Sequence, residues 1–152
     1  ITILPGVGTN YGSGFTGPIQ PGSGQFTPGG GFTITATSKL DTDGISNPRN
    51  YPEGAFTDPD WQGQTSYRNG QLDAYRDMFV VAPVGGPPLG SMVRITNTKN
   101  GKNITAIVAD RGPEGQYGEV STAAARALGE WSPGMGNATN GSLLILEFEK
   151  AK

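Results

Sequence analysis

The segment MVRITNTKNGKNITAIVAD, residues 92–110, constrains the fold more than any other. Apolar and polar residues alternate on both sides of Asn100-Gly101, many of them β-branched. That pattern predicts two antiparallel strands joined by a two-residue turn of type I′. Other strands read out around this hairpin. FTITAT, residues 32–37, alternates in the same way, and MFVVAP, residues 78–83, is a short apolar run bounded by Pro and Gly, as a buried strand requires. SLLILEFE, residues 142–149, suits a last strand. In STAAARALG, good helix formers stand between a capping Ser121 and a terminating Gly129, which predicts one short helix. One short helix among at least five strands joined by long loops makes the chain mainly β, and closing the sheet into a small barrel would protect its edges.

The remaining composition supports that reading. Gly (25) and Pro (12) approach a quarter of the 152 residues, so turns are many and strands short. Residues 1–31 are Gly, Pro, Ser, Thr and Gln with few large apolar side chains, and are expected to form an arm that packs on the barrel. Residues 32–152 are then the single folded domain, and a monomer is expected. SKLDTDGISNPRNYPEGAFTDPDW, residues 38–61, reads as a long structured loop, which in a small domain is usually functional. The net charge of -2, with Lys and Arg dispersed, lacks the basic patch of a nucleic-acid binder. No apolar run is long enough to span a bilayer, so no membrane partner is expected. A chain that begins at Ile1 is expected to be a mature, secreted product.

The chain has no His and no Cys. That excludes the Ser-His-Asp triad, the Cys-His pair and zinc held by His or Cys, and leaves carboxylates as the leading candidates for proton transfer. In VADRGPEGQYGEVS, Asp110 ends a strong predicted strand and Glu119 stands just before the predicted helix, with a Gly-rich loop between them that can bend the two together. Two carboxyls across a scissile bond are the usual equipment for glycoside cleavage. The same residues also suit a turn and a helix-dipole partner. Glu114, in the same loop, competes for either role.

The block NTKNGKNITAIVADRGPEGQYGEVSTAAARALG resembles the core signature of glycoside hydrolase family 75, the endo-chitosanases. ATSKLDTDG, FVVAP and LGSMVRITN resemble further segments of that family. The resemblance implies that Asp110 and Glu119 are the catalytic carboxyls of an inverting chitosanase, one the proton donor and the other the base, with Glu119 favoured over Asp110 as the donor. No cofactor and no metal are expected. Arg111 departs from the family pattern, and Asp-Arg-Gly-Pro is similar to the motif of the rare lipoprotein A group. Those proteins, with expansins and barwin-like domains, have a six-stranded double-psi β-barrel, and some cleave peptidoglycan. This second resemblance implies a lytic transglycosylase, which needs one dominant carboxyl and leaves anhydro sugars, or a non-catalytic carbohydrate-binding barrel. The expected partner is therefore a polysaccharide, chitosan or peptidoglycan.

Substrate contacts are expected from Asp41 and Asp43, which with Asp73 and Asp77 would line an acidic cleft attractive to a polycationic glycan. Tyr117, Trp61 and Trp131 offer rings for stacking on sugars or for covering the barrel end, and Arg111 is expected to pair with Asp110. Asp41-Thr42-Asp43-Gly44 lacks the full calcium-loop pattern, so no metal is expected there.

Overall fold

The predicted hairpin lies at the centre of the sheet. In the computed structural model, which describes residues 31–67 and 71–149, β4 (Met92–Asn97) pairs antiparallel with β5 (Asn103–Gly112) from Met92↔Ile107 to Thr96↔Asn103. The turn is longer than expected. Gly101 donates its N–H to Asn97 O at 2.8 Å and takes φ 76°, but none of the described non-glycine residues has positive φ. A type I′ turn needs positive φ at both central residues, so Asn100 at negative φ rules it out. A four-residue loop, 98–101, closes the hairpin instead, with Asn97 Oδ1 accepting from Lys99 N and Asn100 Oδ1 from Lys102 N.

Around the hairpin the sheet has seven strands in the order β1-β7-β4-β5-β3-β6-β2, one more than the six expected. β1 (Thr33–Thr37) runs antiparallel to β7 (Leu143–Phe148), which runs antiparallel to β4. On the other side β3 (Phe79–Pro83) is parallel to β5 and touches β6 (Glu119–Ser121) at Val80↔Val120, and β6 is parallel to β2 (Lys39–Asp41). The two edge strands, β1 and β2, are consecutive in the chain. At their junction Ser38 donates to Ser142 O and Lys39 to Gly118 O, so the sheet curls into a half-barrel. The class is as expected, mainly β with one short helix. Residues 1–30, most of the expected arm, lie outside the described residues.

Burial explains the strand patterns. All five residues of β3 are buried, hence its unbroken apolar run. Phe79, Ile95, Ile107, Leu128, Leu144, Leu146 and Phe148 are all almost completely buried and fill the barrel. The helix α1 (Thr122–Ala127) starts where Ser121 Oγ accepts from Ala124 N, and Gly129 follows it at φ 76°. Ser121 also donates to Asp77 O and accepts from Phe79 N, so one hydroxyl ties the helix start to the start of β3. Among the described residues no helix is long and apolar enough to cross a membrane.

Candidate active site

Asp110 owes its position to a fault in the β3–β5 ladder. Val80 pairs with Val108 but Val81 pairs with Asp110, so Ala109 is the extra residue of a bulge. Such bulges re-aim side chains. The freed Ala109 O accepts from Tyr67 N at 2.9 Å, which brings residues 65–67 alongside the strand end. Asp110 Oδ1 is then gripped by Ser66 N (3.0 Å), Ser66 Oγ (2.8 Å) and Arg111 N (3.1 Å). The carboxyl is buried, at 7% exposure.

The parallel strand β2 delivers Asp41 to the same place, and Asp43 follows from the loop. Oxygens of Asp41, Asp43 and Asp110 lie within 4.8 Å of one another. Asp41 Oδ1 accepts from Asp43 N and Asp43 Oδ1 from Gln62 N, while Asp41 Oδ2 is buried without a partner among the described residues. Burial, reinforced by the charges of Asp110 and Asp43, pushes Asp41 well above the ordinary carboxylate range. Burial pushes Asp43 up to about 7, against the lowering effect of the Gln62 N–H and with help from Asp110. Acceptor thus meets acceptor, an arrangement that holds only if a proton or a cation sits between.

Glu119 opens β6 opposite Lys39 of β2, half-buried. Its pKa is raised by burial first and by the Asp110 charge second, with Lys39 opposing. It lines a nick of about 10 Å³ with Lys39, Val81, Pro113, Gln116 and Tyr117. Lys39, Gln116 and Tyr117 also line a groove of about 300 Å³ that runs along β1. On the Asp110 side, Gln64, Thr65, Tyr67 and Gln71 line a second groove of about 300 Å³. The nick is the pocket that Glu119 itself lines, and it shares Lys39, Gln116 and Tyr117 with the groove along β1.

Several expected contacts fall elsewhere. The Arg111 guanidinium does not pair with Asp110: its Nη1 donates to Pro83 O at 3.0 Å and Pro87 O at 2.8 Å, and only its backbone N–H reaches the carboxylate. Trp131 is 3% exposed and packs with Tyr51 and Phe56 under the Arg126 guanidinium, so it covers the barrel end and has no open face for a sugar. Asp73 and Asp77 do not line the acidic cleft but close a turn on each other, Asp73 N donating to Asp77 Oδ2 and Asp77 N to Asp73 O. Tyr117 rests against Phe32 and Phe148 while lining the grooves beside Glu119. Trp61 is half-buried, and Glu114 is exposed in its loop. Ser66, which grips Asp110 from 44 positions away in the chain, carries no signal in its own segment QTSYRNG.

No family model matches the chain. Its sequence is similar to that of the "Probable endolytic peptidoglycan transglycosylase RlpA" of Nostoc sp. (strain PCC 7120 / SAG 25.82 / UTEX 2576), 31% identical over 98 residues that cover 63% of this chain and 24% of that protein. It is likewise similar to the protein of the same name in Synechocystis sp. (strain ATCC 27184 / PCC 6803 / Kazusa), 42% identical over 52 residues, 33% of this chain and 16% of that one. The chain therefore spans a quarter or less of the length of these curated relatives. Among solved structures, the Streptomyces papain inhibitor (SPI) superposes with a TM-score of 0.47 at 17% identity, over 82% of this chain and 100% of that one. The similarity is thus to the rare lipoprotein A group that the Asp-Arg-Gly-Pro motif resembles, and the chitosanase resemblance gains no support from these relatives.

Proposed function

We propose that the chain cleaves the glycan strands of peptidoglycan as a lytic transglycosylase, with Glu119 as its proton-transferring carboxyl and Asp110 as the neighbouring negative charge. The observation that carries this reading is the half-buried Glu119 carboxyl, which β6 sets in a nick with Lys39, Gln116 and Tyr117 and whose pKa burial raises first and the charge of Asp110 second. The similarity to two proteins described as peptidoglycan transglycosylases supports it. Burial favours the protonated form of Glu119. In that form it gives its proton to the glycosidic oxygen as the C1–O4 bond breaks. The C6 hydroxyl of the same sugar then attacks C1, closing the C1–O6 bond, and returns a proton to Glu119. No water is consumed, and the product carries a 1,6-anhydro ring. Asp110, its Oδ1 fixed by three donors, stabilises the positive charge that develops at C1. On this reading the chain would work outside the cytoplasmic membrane, where peptidoglycan lies.

The test is to digest purified peptidoglycan and chitosan in parallel and weigh the products by mass spectrometry. Anhydro ends from peptidoglycan are expected, and Glu119→Gln should lower their release by about 10²- to 10⁴-fold. Hydrolysed ends from chitosan would restore the chitosanase reading. Full activity in Glu119→Gln would overturn both.

A further inference from the structure

Of the buried acidic cluster the proposed reaction at Glu119 uses only Asp110, and we infer that Asp41, Asp43 and Asp110 together bind one hard divalent cation of the calcium class, which three ionised carboxylates would still leave with a net negative charge beside the reacting sugar. Three features converge on this. First, the three carboxylates present oxygens within 4.8 Å of one another, a span that ligands at about 2.3–2.6 Å cover across a calcium ion. Second, Asp41 is 5% exposed and its Oδ2 has no hydrogen-bond partner among the described residues, although Oδ1 of the same carboxyl is bonded to Asp43 N. A buried acceptor without a donor is costly, and what faces this carboxyl is a further carboxyl. Third, no basic side chain of the described residues pairs with any of the three. The nearest guanidinium in sequence, that of Arg111, is held on the carbonyls of Pro83 and Pro87, and the ion pair the described residues do form is Arg76–Asp73.

The donor set selects the metal. All three side chains offer oxygen, and the chain has no His or Cys, so the site suits calcium rather than zinc or copper. The framework is already rigid on the protein side. Ser66 N and Oγ fix Asp110 Oδ1, and Gln62 N fixes Asp43 Oδ1, leaving other carboxylate oxygens for the ion. Two of the ligands come from Asp41-Thr42-Asp43, and the third arrives from the bulge of β5. A local sequence pattern therefore misses the site.

Calorimetric titration of the full chain, stripped with a chelator and returned to metal-free buffer, tests this with CaCl2 alone. Saturable binding of one ion per chain is expected, with half-saturation below about 1 mM and a melting temperature that rises with Ca2+ at constant ionic strength. Asp43→Asn, on a half-exposed loop residue, and the isosteric Asp110→Asn should each weaken binding by about tenfold or more, while Asp60→Asn, an exposed acid outside the cluster, should leave it unchanged. Absence of saturable heat with the wild type, or wild-type binding by either cluster variant, overturns the site. The titration contains no glycan, so its failure leaves the transglycosylase reading standing, and a failed glycan assay leaves the cation standing.

Discussion

Glu130 and Asp41 are both buried carboxylates, at 1% and 5% exposure, and the fold treats them in opposite ways. Glu130 Oε1 accepts from Ser38 Oγ (2.6 Å) and Ser142 N (2.8 Å), and Oε2 from Ser142 Oγ (2.8 Å) and Asn97 Nδ2 (3.1 Å). Burial alone would raise its pKa, but these hydrogen bonds hold it below the ordinary range. Asp41 has one backbone donor and two carboxylate neighbours. The contrast separates a carboxylate whose acceptors the fold fully matches from one whose second oxygen it leaves unmatched. Glu130 joins the β1–β2 junction, the end of β4 and the approach to β7, and every lone pair it offers in that seam has a donor. The Asp cluster concentrates charge that the rest of the barrel must tolerate, as a binding or catalytic centre does.

Breaking the satisfied side should cost most. Glu130→Ala leaves Ser142 N, Asn97 Nδ2 and two hydroxyls buried without their acceptor, and is expected to lower unfolding free energy by about 3–5 kcal/mol in urea titration. A loss under about 1 kcal/mol would show that water replaces the carboxylate and that the contrast is false.

Acid titration sharpens the comparison next, because the two kinds of carboxylate have opposite signs. Glu130, depressed in the fold, contributes stability above its unfolded value near 4.5 and loses it as the pH falls through its folded pKa. Asp77 is raised to about 6, chiefly by burial and partly by the charge of Asp73, against the Asp73 N–H. Its contribution is complete below its unfolded value of 3.8 and is lost as the pH rises through about 6. That loss amounts to at most about 3 kcal/mol at 1.4 kcal/mol per pH unit. Unfolding measured from pH 3.5 to 7 should show Asp77→Asn gaining on the wild type across that window, since an amide keeps the acceptor for Asp73 N and carries no charge. Parallel curves would sink the assignment.

The halves of this contrast were unequally legible in the sequence. The hairpin, the buried run of β3 and the capped helix all appear as local patterns, since alternation, apolar continuity and a Ser-to-Gly frame are each written within a dozen residues. Asp110 at a strand end was legible for the same reason. β2 and β6 were not. Each has three residues, too few to show a period, and each exists only because the other lies parallel beside it. They carry Asp41 and Glu119, so the geometry of the site depends on the least legible pairing of the fold. Arg111 adjoins Asp110 in sequence, but its guanidinium lies on the Pro83 and Pro87 carbonyls, a long-range placement with no local signal. Ser66 and Glu130 were missed because their partners are tens of residues away.

On the unsatisfied side, substitution should reverse the usual sign. Asp41→Asn keeps an oxygen for Asp43 N and puts an amide donor where Oδ2 met only acceptors. In chelator-treated protein at pH 8 it is expected to raise unfolding free energy by about 2 kcal/mol, because the amide supplies a donor without the cost of either holding a buried charge or binding a proton there. Destabilisation of that size would mean the cluster is not frustrated.

The smallest effect belongs to Ser66, which joins the two behaviours by giving one carboxylate of the crowded cluster the kind of support Glu130 has throughout. Ser66→Ala removes Oγ from Asp110 Oδ1 but leaves the Ser66 and Arg111 backbone N–H groups in place. Stability should fall by only about 1 kcal/mol, the worth of one hydrogen bond. Asp110 loses part of its aim, not its charge. On the transglycosylase reading kcat should therefore drop by about tenfold with KM unchanged, the signature of an interaction made in the transition state. Ser66→Thr, which retains the hydroxyl, should recover most of that loss. If Ser66→Ala instead raises KM and leaves kcat alone, Asp110 binds the glycan or an ion without taking part in the charge-separating step, and the developing charge at C1 rests on Glu119 and the groove alone.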